Sequence, residues 1–549
     1  MIDRIRVLSG QRVEMRDTTQ LAADVYLPVD EGRYPTILLR TPYGNGLDEF
    51  NRLQLQRYVD AGYAVVYQLV RGCLPSEGEF KMFFNEQDDG FDTVEWVASQ
   101  IWCNGRVAMD GGSYLGTAQY LAARALPPHL VAILPSVPAG DYFNEVPYIG
   151  GALLFDHVVN WSASQDGIDV EAREQEILAL MKTVRPLQKL GRGIGITSSY
   201  YYSVIDRETF GKALPDLYYS DEDFRRIAHL PVMTVTGWFD GDQAGSLYYW
   251  EGIERHFPET SNSFLIIGPW EHKACYLGGS NKKGLMHFGE EATIDILAER
   301  VRFFDHYLQK GSDLRQMPDR VRLFVTGINE WRSYCEYPPR CTLAAFYLHS
   351  GGNANTREGD GLLNLDKPTV EPVDCFAFDP ADPVVYQEYG EDVSETELRP
   401  DILVYSSAIL DRSLEIIGQL NLVLYAASDA LDTDFAVRII DVHPDGAAVN
   451  LSHSRGVIRA RYRNSFLDEE LLQVDKVEKY QIRLNDLGHV FDVGHRVRLE
   501  VTSSLFPLFD PNPNTGSAIH TETSQQVAQQ TVYHDSKYPS HLLLPITGP

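Results

Sequence analysis

A strand that runs straight into a helix through two glycines and a serine limits the folds open to this chain. Val107–Met109 is apolar and strand-like, Gly111-Gly112-Ser113 follows, and Tyr114–Ala125 has helical spacing. So tight a strand-to-helix turn lifts the serine hydroxyl above the end of a sheet, as a nucleophile elbow requires. The glycines leave room where the chain bends and a ligand must come close. The helix that follows aims free N–H groups and the positive end of its dipole at charge developing beside the hydroxyl.

The flanking segments supply a sheet for such an elbow. Apolar strands at Thr36–Arg40, Ala64–Val70, Leu130–Leu134, Pro231–Thr236 and Phe264–Gly268 alternate with helical patterns at Asn51–Ala61, Asp88–Ser99, Tyr114–Ala125 and about Ser246–Arg255. That rhythm predicts a parallel sheet covered on both faces. Val13–Pro28 reads as a hairpin around Asp17-Thr-Thr-Gln. From Ala139 to Ala228 the strands stop, and aromatic residues and helix formers such as Asp169–Leu190 predict a helical insertion. A long helix is expected at about Glu291–Gln309. Beyond Cys341, short alternating strands such as Leu420–Ala426, Asp434–Asp441 and Val497–Thr502 predict an all-β sandwich or jelly roll. A chain of 549 residues needs more than one core. The expected division is a discontinuous α/β domain over 1–138 and 229–340, a helical insertion over 139–228 and an all-β domain over 341–549.

The net charge of −29 argues against nucleic acid and against an anionic membrane surface as partners. No long uncharged apolar run suggests a membrane span, and the start, Met1-Ile-Asp-Arg-Ile-Arg-Val, lacks the apolar core of a signal peptide. The six cysteines show no Cys-x-x-Cys pair and fit reduced, mostly buried thiols. A cytoplasmic setting is expected, and homo-oligomerisation is left open.

In open parallel sheets ligands sit at the carboxyl ends of strands. Two further strand ends carry partners for Ser113: Gly237-Trp-Phe-Asp240-Gly and Pro269-Trp-Glu-His272. The chain order Ser, Asp, His is that of the α/β-hydrolases. A serine hydroxyl needs a base to take its proton, imidazole titrates near the working pH, and a carboxylate fixes the imidazole tautomer. The assignment is Ser113 as nucleophile, His272 as base then acid, and Asp240 as orienting acid, with Asp242 as its rival. The oxyanion donors expected are the backbone N–H of Tyr114 and the hydroxyl of Tyr43, in the loop Arg40-Thr-Pro-Tyr43-Gly-Asn-Gly. Each motif alone is commonplace: there are 15 histidines, and Asp110 reads as a turn cap. Leu115 also stands where common lipases have glycine. The joint order and strand-end placement carry the assignment.

These residues resemble the cocaine esterase and Xaa-Pro dipeptidyl-peptidase family, which also holds α-amino-acid ester hydrolases and acylases. The resemblance covers nearly the whole length. It rests most on Asp88-Asp-Gly-Phe-Asp-Thr-Val-Glu-Trp, Trp102-Cys-Asn-Gly-Arg-Val and Gly111-Gly-Ser-Tyr-Leu-Gly, where Gly-x-Ser-Tyr-x-Gly is the family's elbow. Arg40-Thr-Pro-Tyr43 is similar to the oxyanion tyrosine motif, and Gly237–Gly241 and Gly268–His272 to the acid and base motifs. Gly456–Ser465 and Ser504–Gly516 resemble parts of the jelly roll. One departure is Leu69, where members usually carry aspartate before Val-Arg-Gly. The resemblance implies that these parts are an α/β-hydrolase catalytic domain, an inserted helical cap over 139–228 and a C-terminal jelly roll over 341–549. It also implies hydrolysis of small-molecule ester or amide bonds through an acyl-enzyme, with no metal or organic cofactor.

Specificity is expected between cap and catalytic domain. Trp161, Phe155, Trp238 and Trp270 are candidate pocket walls, each weighed against a place in the core. Tyr142, Phe143, Tyr148, His157 and Tyr200–Tyr202 are further cap candidates. Asp141, Glu145 and Asp166 are candidates to hold a substrate ammonium, as a peptidase would require. Members with peptidase activity carry an additional N-terminal domain, which disfavours that reading here. A non-catalytic binding protein on a hydrolase scaffold is the alternative from another class.

Overall fold

The computed structural model describes residues 5–44, 47, 49–256, 262–309, 319–453 and 455–547. Met1–Arg4 and, in the loop after Tyr43, Asn45 and Gly46 lie outside the described residues.

The N-terminal half builds β1 (Ile5–Glu14), β2 (Gln20–Pro28), β3 (Tyr34–Thr41), α1 (Glu49–Asp60), β4 (Ala64–Leu69), α2 (Glu86–Ser99), β5 (Cys103–Gly112), α3 (Tyr114–Arg124) and β6 (Leu130–Ser136). A short hairpin of β7 (Tyr148–Ile149) and β8 (Ala152–Leu153) follows. Next come six helices, α4 (Phe155–Gln165), α5 (Glu174–Thr183), α6 (Leu187–Ile194), α7 (Ser199–Ile205), α8 (Arg207–Ala213) and α9 (Asp221–Ile227). The sheet resumes with β9 (Val232–Phe239), α10 (Gln243–His256), β10 (Ser263–Glu271) and α11 (His272–Leu277). The hairpin β11 (Lys282–Lys283) and β12 (Met286–His287), then α12 (Ile296–Leu308), β13 (Val321–Val325) and β14 (Glu330–Tyr334), complete this part.

Ten of these strands form one sheet in the order β1-β2-β4-β3-β5-β6-β9-β10-β13-β14. Every pair from β4 through β13 is parallel, and antiparallel pairs close both edges. Val107, Ala108 and Met109 are all buried although their side chains alternate between faces. That is why the central strands read as unbroken apolar runs. The stretch Asp169–Leu190 is split between α5 and α6, because Pro186 at the N-cap of α6 cannot continue a helix through the preceding turn. The last helix starts at Ile296, later than expected. Asp295 accepts from the Ala298 N–H at 3.0 Å and caps it, while Glu290–Ala292 is a separate 3₁₀ turn.

Residues 342–546 hold twelve hydrogen-bonded strands. Their core is continuous with the α/β part: Trp238, Leu247 and Trp250 pack in one apolar cluster with Leu420, Ile482 and Leu484. Polar contacts add register. Gln243 Nε2 donates to the Asp486 carbonyl at 3.0 Å, and the Asp486 N–H donates to Gln243 Oε1 at 2.9 Å. The all-β part thus braces the turn that carries Asp240 and Asp242. Among the described residues no helix is long and apolar enough to cross a membrane. All six cysteines are free thiols, but Cys335, Cys341 and Cys375 are exposed, against the expectation of mostly buried ones.

Candidate active site

Ser113 holds φ 61° and ψ −125°, a conformation that L-residues seldom adopt and that marks a strained turn. Its N–H donates to the Ser136 carbonyl at 2.9 Å, and its carbonyl accepts from Gly116 and Thr117 to begin α3. Two close approaches explain the glycines. A Cβ on Gly111 would lie 2.5 Å from Leu115 Cβ, and one on Gly112 would lie 2.7 Å from the ring of Tyr276. The Tyr276 ring also meets the His272 ring, with centroids 5.9 Å apart. One aromatic therefore touches both the elbow and the imidazole.

A buried polar group underlies the elbow. Asp110, expected as a turn cap, instead accepts at Oδ2 from Gln54 Nε2 (2.6 Å), from the Tyr58 hydroxyl and from Arg300 Nη1 (3.2 Å). Arg300 Nη2 donates to Ser136 Oγ at 2.9 Å, tying α12 to the end of β6. Both partners of the ion pair are shut off from water. Removing one leaves a buried charge unpaired, so Arg300→Met should lower unfolding free energy by about 3–5 kcal/mol in a denaturant titration. A change below ~1 kcal/mol would show that the pair does not hold this region together.

His272 opens α11 at the end of β10. Its Nδ1 lies 2.8 Å from Asp240 Oδ1 and 3.9 Å from Asp242 Oδ2. The nearer contact is a hydrogen bond and the farther one is not. Asp240 is fully buried, its Oδ1 accepts from the Asp242 N–H (3.2 Å) and its Oδ2 accepts from the Thr236 hydroxyl (3.0 Å). Burial alone lowers the His272 pKa, but the hydrogen bond and charge of Asp240, with the charge of Asp242, outweigh it and push it up to about 9. Asp242 is raised to about 7, first by burial and then by Asp240, against the opposing pull of His272.

A base must be neutral to accept a proton, and a raised pKa keeps imidazole charged to higher pH. The acid limb of kcat/KM should therefore rise through an apparent pKa above the ordinary imidazole value of about 6.5. Asp242→Asn should move that limb to lower pH by removing a negative neighbour. A limb at or below 6.5, or one unmoved by Asp242→Asn, would contradict this electrostatic picture.

The Tyr43 hydroxyl lies near the Ser113 hydroxyl and the Trp161 indole, both of which lower its pKa, though less than burial raises it. The residue as a whole is 36% exposed, but its hydroxyl is withdrawn from water. Burial raises its pKa, so it stays a phenol that can donate. A second buried network ties the strand that leads to Tyr43 to the elbow helix. Arg40 Nη1 donates to Glu86 Oε2 at 2.5 Å, and the Tyr114 hydroxyl donates to Glu86 Oε1 at 3.1 Å. The Tyr114 N–H is the first of α3 and has no acceptor within the helix.

The wall candidates divide. Trp161 on α4 lies against the site, with Phe80 and Tyr200 around its ring. His157, one turn earlier on α4, has its pKa lowered to about 4 by burial and then by the charge of nearby His272. Trp238 and Trp270 are core residues instead of walls, with no exposed surface. Trp238 Nε1 donates to the Phe324 carbonyl at 2.6 Å and its ring packs on Gly488. Trp270 Nε1 donates to the Ala292 carbonyl at 2.8 Å. Phe155 is likewise fully buried, in the cluster that joins the inserted helices to the sheet. The three acidic candidates are already engaged. Asp166 accepts from the N–H groups of Thr197 and Ser198, and Glu145 from those of Gly140, Asp141 and Gly245. Asp141 pairs with Arg483 at 3.2 Å. Sequence reasoning passed over Thr236 and Tyr276. Each had a periodic signal, four residues before Asp240 on its strand and four after His272 on its helix.

A serine on a strained strand-to-helix turn, joined through the Tyr276 ring to a strand-end histidine bonded to a buried aspartate, belongs to the serine-hydrolase class of α/β proteins. Comparison with known proteins agrees. Residues 17–274 match the X-Pro dipeptidyl-peptidase (S15 family), and residues 314–543 match the X-Pro dipeptidyl-peptidase C-terminal non-catalytic domain. The chain is 32% identical to the cocaine esterase of Rhodococcus sp. (strain MB1 Bresler) over 98% of both chains. It belongs to the cocaine esterase and X-Pro dipeptidyl-peptidase family. Similar solved structures include an aminopeptidase from a marine sediment Thaumarchaeota archaeon (TM-score 0.84, 25% identity, 98% of this chain and 97% of that one). Another is an α-amino acid ester hydrolase (TM-score 0.83, 24% identity, 99% and 97%), which shares the fold.

Proposed function

We propose that the protein is a carboxylesterase or acylase in which Ser113, His272 and Asp240 form the catalytic triad. The observation that carries this reading is the 2.8 Å contact of His272 Nδ1 with buried Asp240, at a strand end joined through the Tyr276 ring to the Ser113 elbow. Ser113 Oγ attacks the substrate carbonyl carbon as His272 Nε2 takes its proton. The Tyr114 N–H and Tyr43 hydroxyl receive the developing oxyanion. Collapse expels the alcohol or amine, which takes the proton back from His272 and leaves the acyl group on Ser113. Water activated by the same imidazole then releases the acid. Tyr43→Phe should lower kcat by ~10²–10³ with little change in KM. An unchanged kcat would remove Tyr43 from the oxyanion hole.

The inserted helices over 139–228 act in this reading as a cap that brings Trp161 to the mouth of the site. The discontinuous hydrolase part over 1–138 and 229–340 and the jelly roll over 341–549 complete the division. A cytoplasmic setting and small-molecule ester or amide substrates belong to the same proposal. The family match and the archaeal aminopeptidase support a second reading, release of N-terminal dipeptides. Asp141, Glu145 and Asp166 are already bonded within the protein, which favours the ester. Turnover of p-nitrophenyl butyrate should exceed that of Ala-Pro-p-nitroanilide. The reverse order would establish the peptidase.

A further inference from the structure

A second group of polar side chains lies in the all-β part, and none of it belongs to the Ser113 site. Asp441 and His443 stand at the end of the strand Asp434–Val442, and His495 immediately precedes the strand Arg496–Thr502. These strands pair antiparallel, with Asp441 opposite Val497 and Val442 opposite Arg496, so both ends carry their side chains to one place. His495 Nδ1 is 2.8 Å from Asp441 Oδ1, and His443 Nε2 is 3.6 Å from Asp441 Oδ2. One ligand atom from each of Asp441, His443 and His495 lies within 4.8 Å of the others. His489 Nε2 approaches from a third strand, 3.3 Å from Asp441 Oδ2. We propose that Asp441, His443 and His495 form a site for a divalent transition-metal ion, with zinc the expected occupant and His489 as a fourth, supporting group.

The chemistry favours a cation over a plain hydrogen-bonded cluster. Asp441 is almost buried, yet three imidazoles converge on its two oxygens. The His443 and His495 rings lie with centroids 4.5 Å apart. Rings this close can each turn one nitrogen towards a single ion between them. Ligand atoms around zinc with bonds of about 2.0–2.1 Å sit about 3.3 Å apart in a tetrahedron, and the two contacts of His495 and His443 with Asp441, at 2.8 and 3.6 Å, fall on either side of that value. The outer partners suit it as well. His489 Nδ1 lies 2.8 Å from Thr326 Oγ1, and that hydroxyl also donates to the Gly488 carbonyl at 2.9 Å. With the hydroxyl proton on the carbonyl, Nδ1–H of His489 donates to Thr326 and Nε2 turns its lone pair towards the site. Metal-binding imidazoles are oriented in this way.

The site is reachable. It opens on a cleft of about 360 Å³ that His287, Asn329 and Asp492 also line. Two imidazoles and one carboxylate suit zinc, nickel or copper better than calcium or magnesium. Thr326, Gly327 and Asn329 follow β13 of the hydrolase sheet, so a bound ion would sit where the all-β part docks on it. Its expected role is to pin that docking and not to enter the hydrolysis.

The test uses the full chain without a purification tag, stripped by chelator and dialysed against one to two equivalents of zinc. The wild type should retain one zinc per chain by elemental analysis and show a higher Tm than the stripped protein. His443→Ala/His495→Ala should lose that zinc and the Tm response, and His443→Gln should weaken binding at least tenfold. Cobalt substitution should give the wild type a visible d–d band that the double variant lacks, which separates a defined site from scattered surface binding. Ester turnover should be equal with and without zinc. Zinc retained equally by wild type and double variant, or by neither while both remain folded by circular dichroism, would overturn the proposal.

Discussion

Ser113→Ala is expected to lower kcat/KM for a p-nitrophenyl ester by ~10⁴–10⁶ while the protein stays folded. The size follows from the chemistry: without the hydroxyl there is no acyl-enzyme, and only oxyanion donors and substrate binding remain to assist water. The substitution is local. Ser113 is held through its backbone to Ser136, Gly116 and Thr117, and alanine keeps all three bonds. Circular dichroism and Tm should therefore be close to those of the wild type. Residual activity above a few per cent, in protein free of contaminating esterase, would place the nucleophile elsewhere.

Asp240→Asn should reduce kcat by on the order of 10⁴, because the amide leaves the imidazole in the wrong tautomer and withdraws the charge that stabilises the imidazolium. Asp242→Asn should reduce it by no more than about tenfold, since that group contributes charge without a hydrogen bond to His272. The pair of variants is informative because the two carboxylates stand two residues apart, and on the sequence Asp242 was the rival to Asp240. Geometry separates them: Asp240 sits 2.8 Å from Nδ1 and is locked by Thr236, whereas Asp242 lies at 3.9 Å. If Asp242→Asn proved the more damaging, the orienting acid would have been misassigned.

The sheet was legible because central parallel strands bury both faces, and stretches such as Ile37–Leu39 and Val65–Val66 have no polar alternation to confuse them. The Ser–Asp–His order was legible because each residue follows a strand end, where chain direction alone determines the side of the sheet. Trp238 and Trp270 were not. An indole in an acid or base motif looks the same whether it faces a ligand or the core, and only the partners of its N–H, Phe324 and Ala292, decide. The start of α12 was misplaced because Glu290–Ala292 has helical composition, and the cap on Asp295 shows only in the hydrogen bonds. Asp110 and Arg300 lie 190 residues apart, so no local pattern could pair them. The nearness of Tyr43 to both Ser113 and Trp161 likewise joins a strand end, an elbow and an inserted helix, and no sequence period links the three.

The central question is whether His272 makes the Ser113 hydroxyl nucleophilic, and covalent labelling answers it most directly. The protein is treated with a fluorophosphonate, digested, and its peptides mapped by mass spectrometry. The expected result is one adduct per chain, on the peptide that contains Ser113, with the labelling rate falling by several orders of magnitude in His272→Ala. An adduct on another residue, or labelling of Ser113 at an undiminished rate without the imidazole, would contradict it.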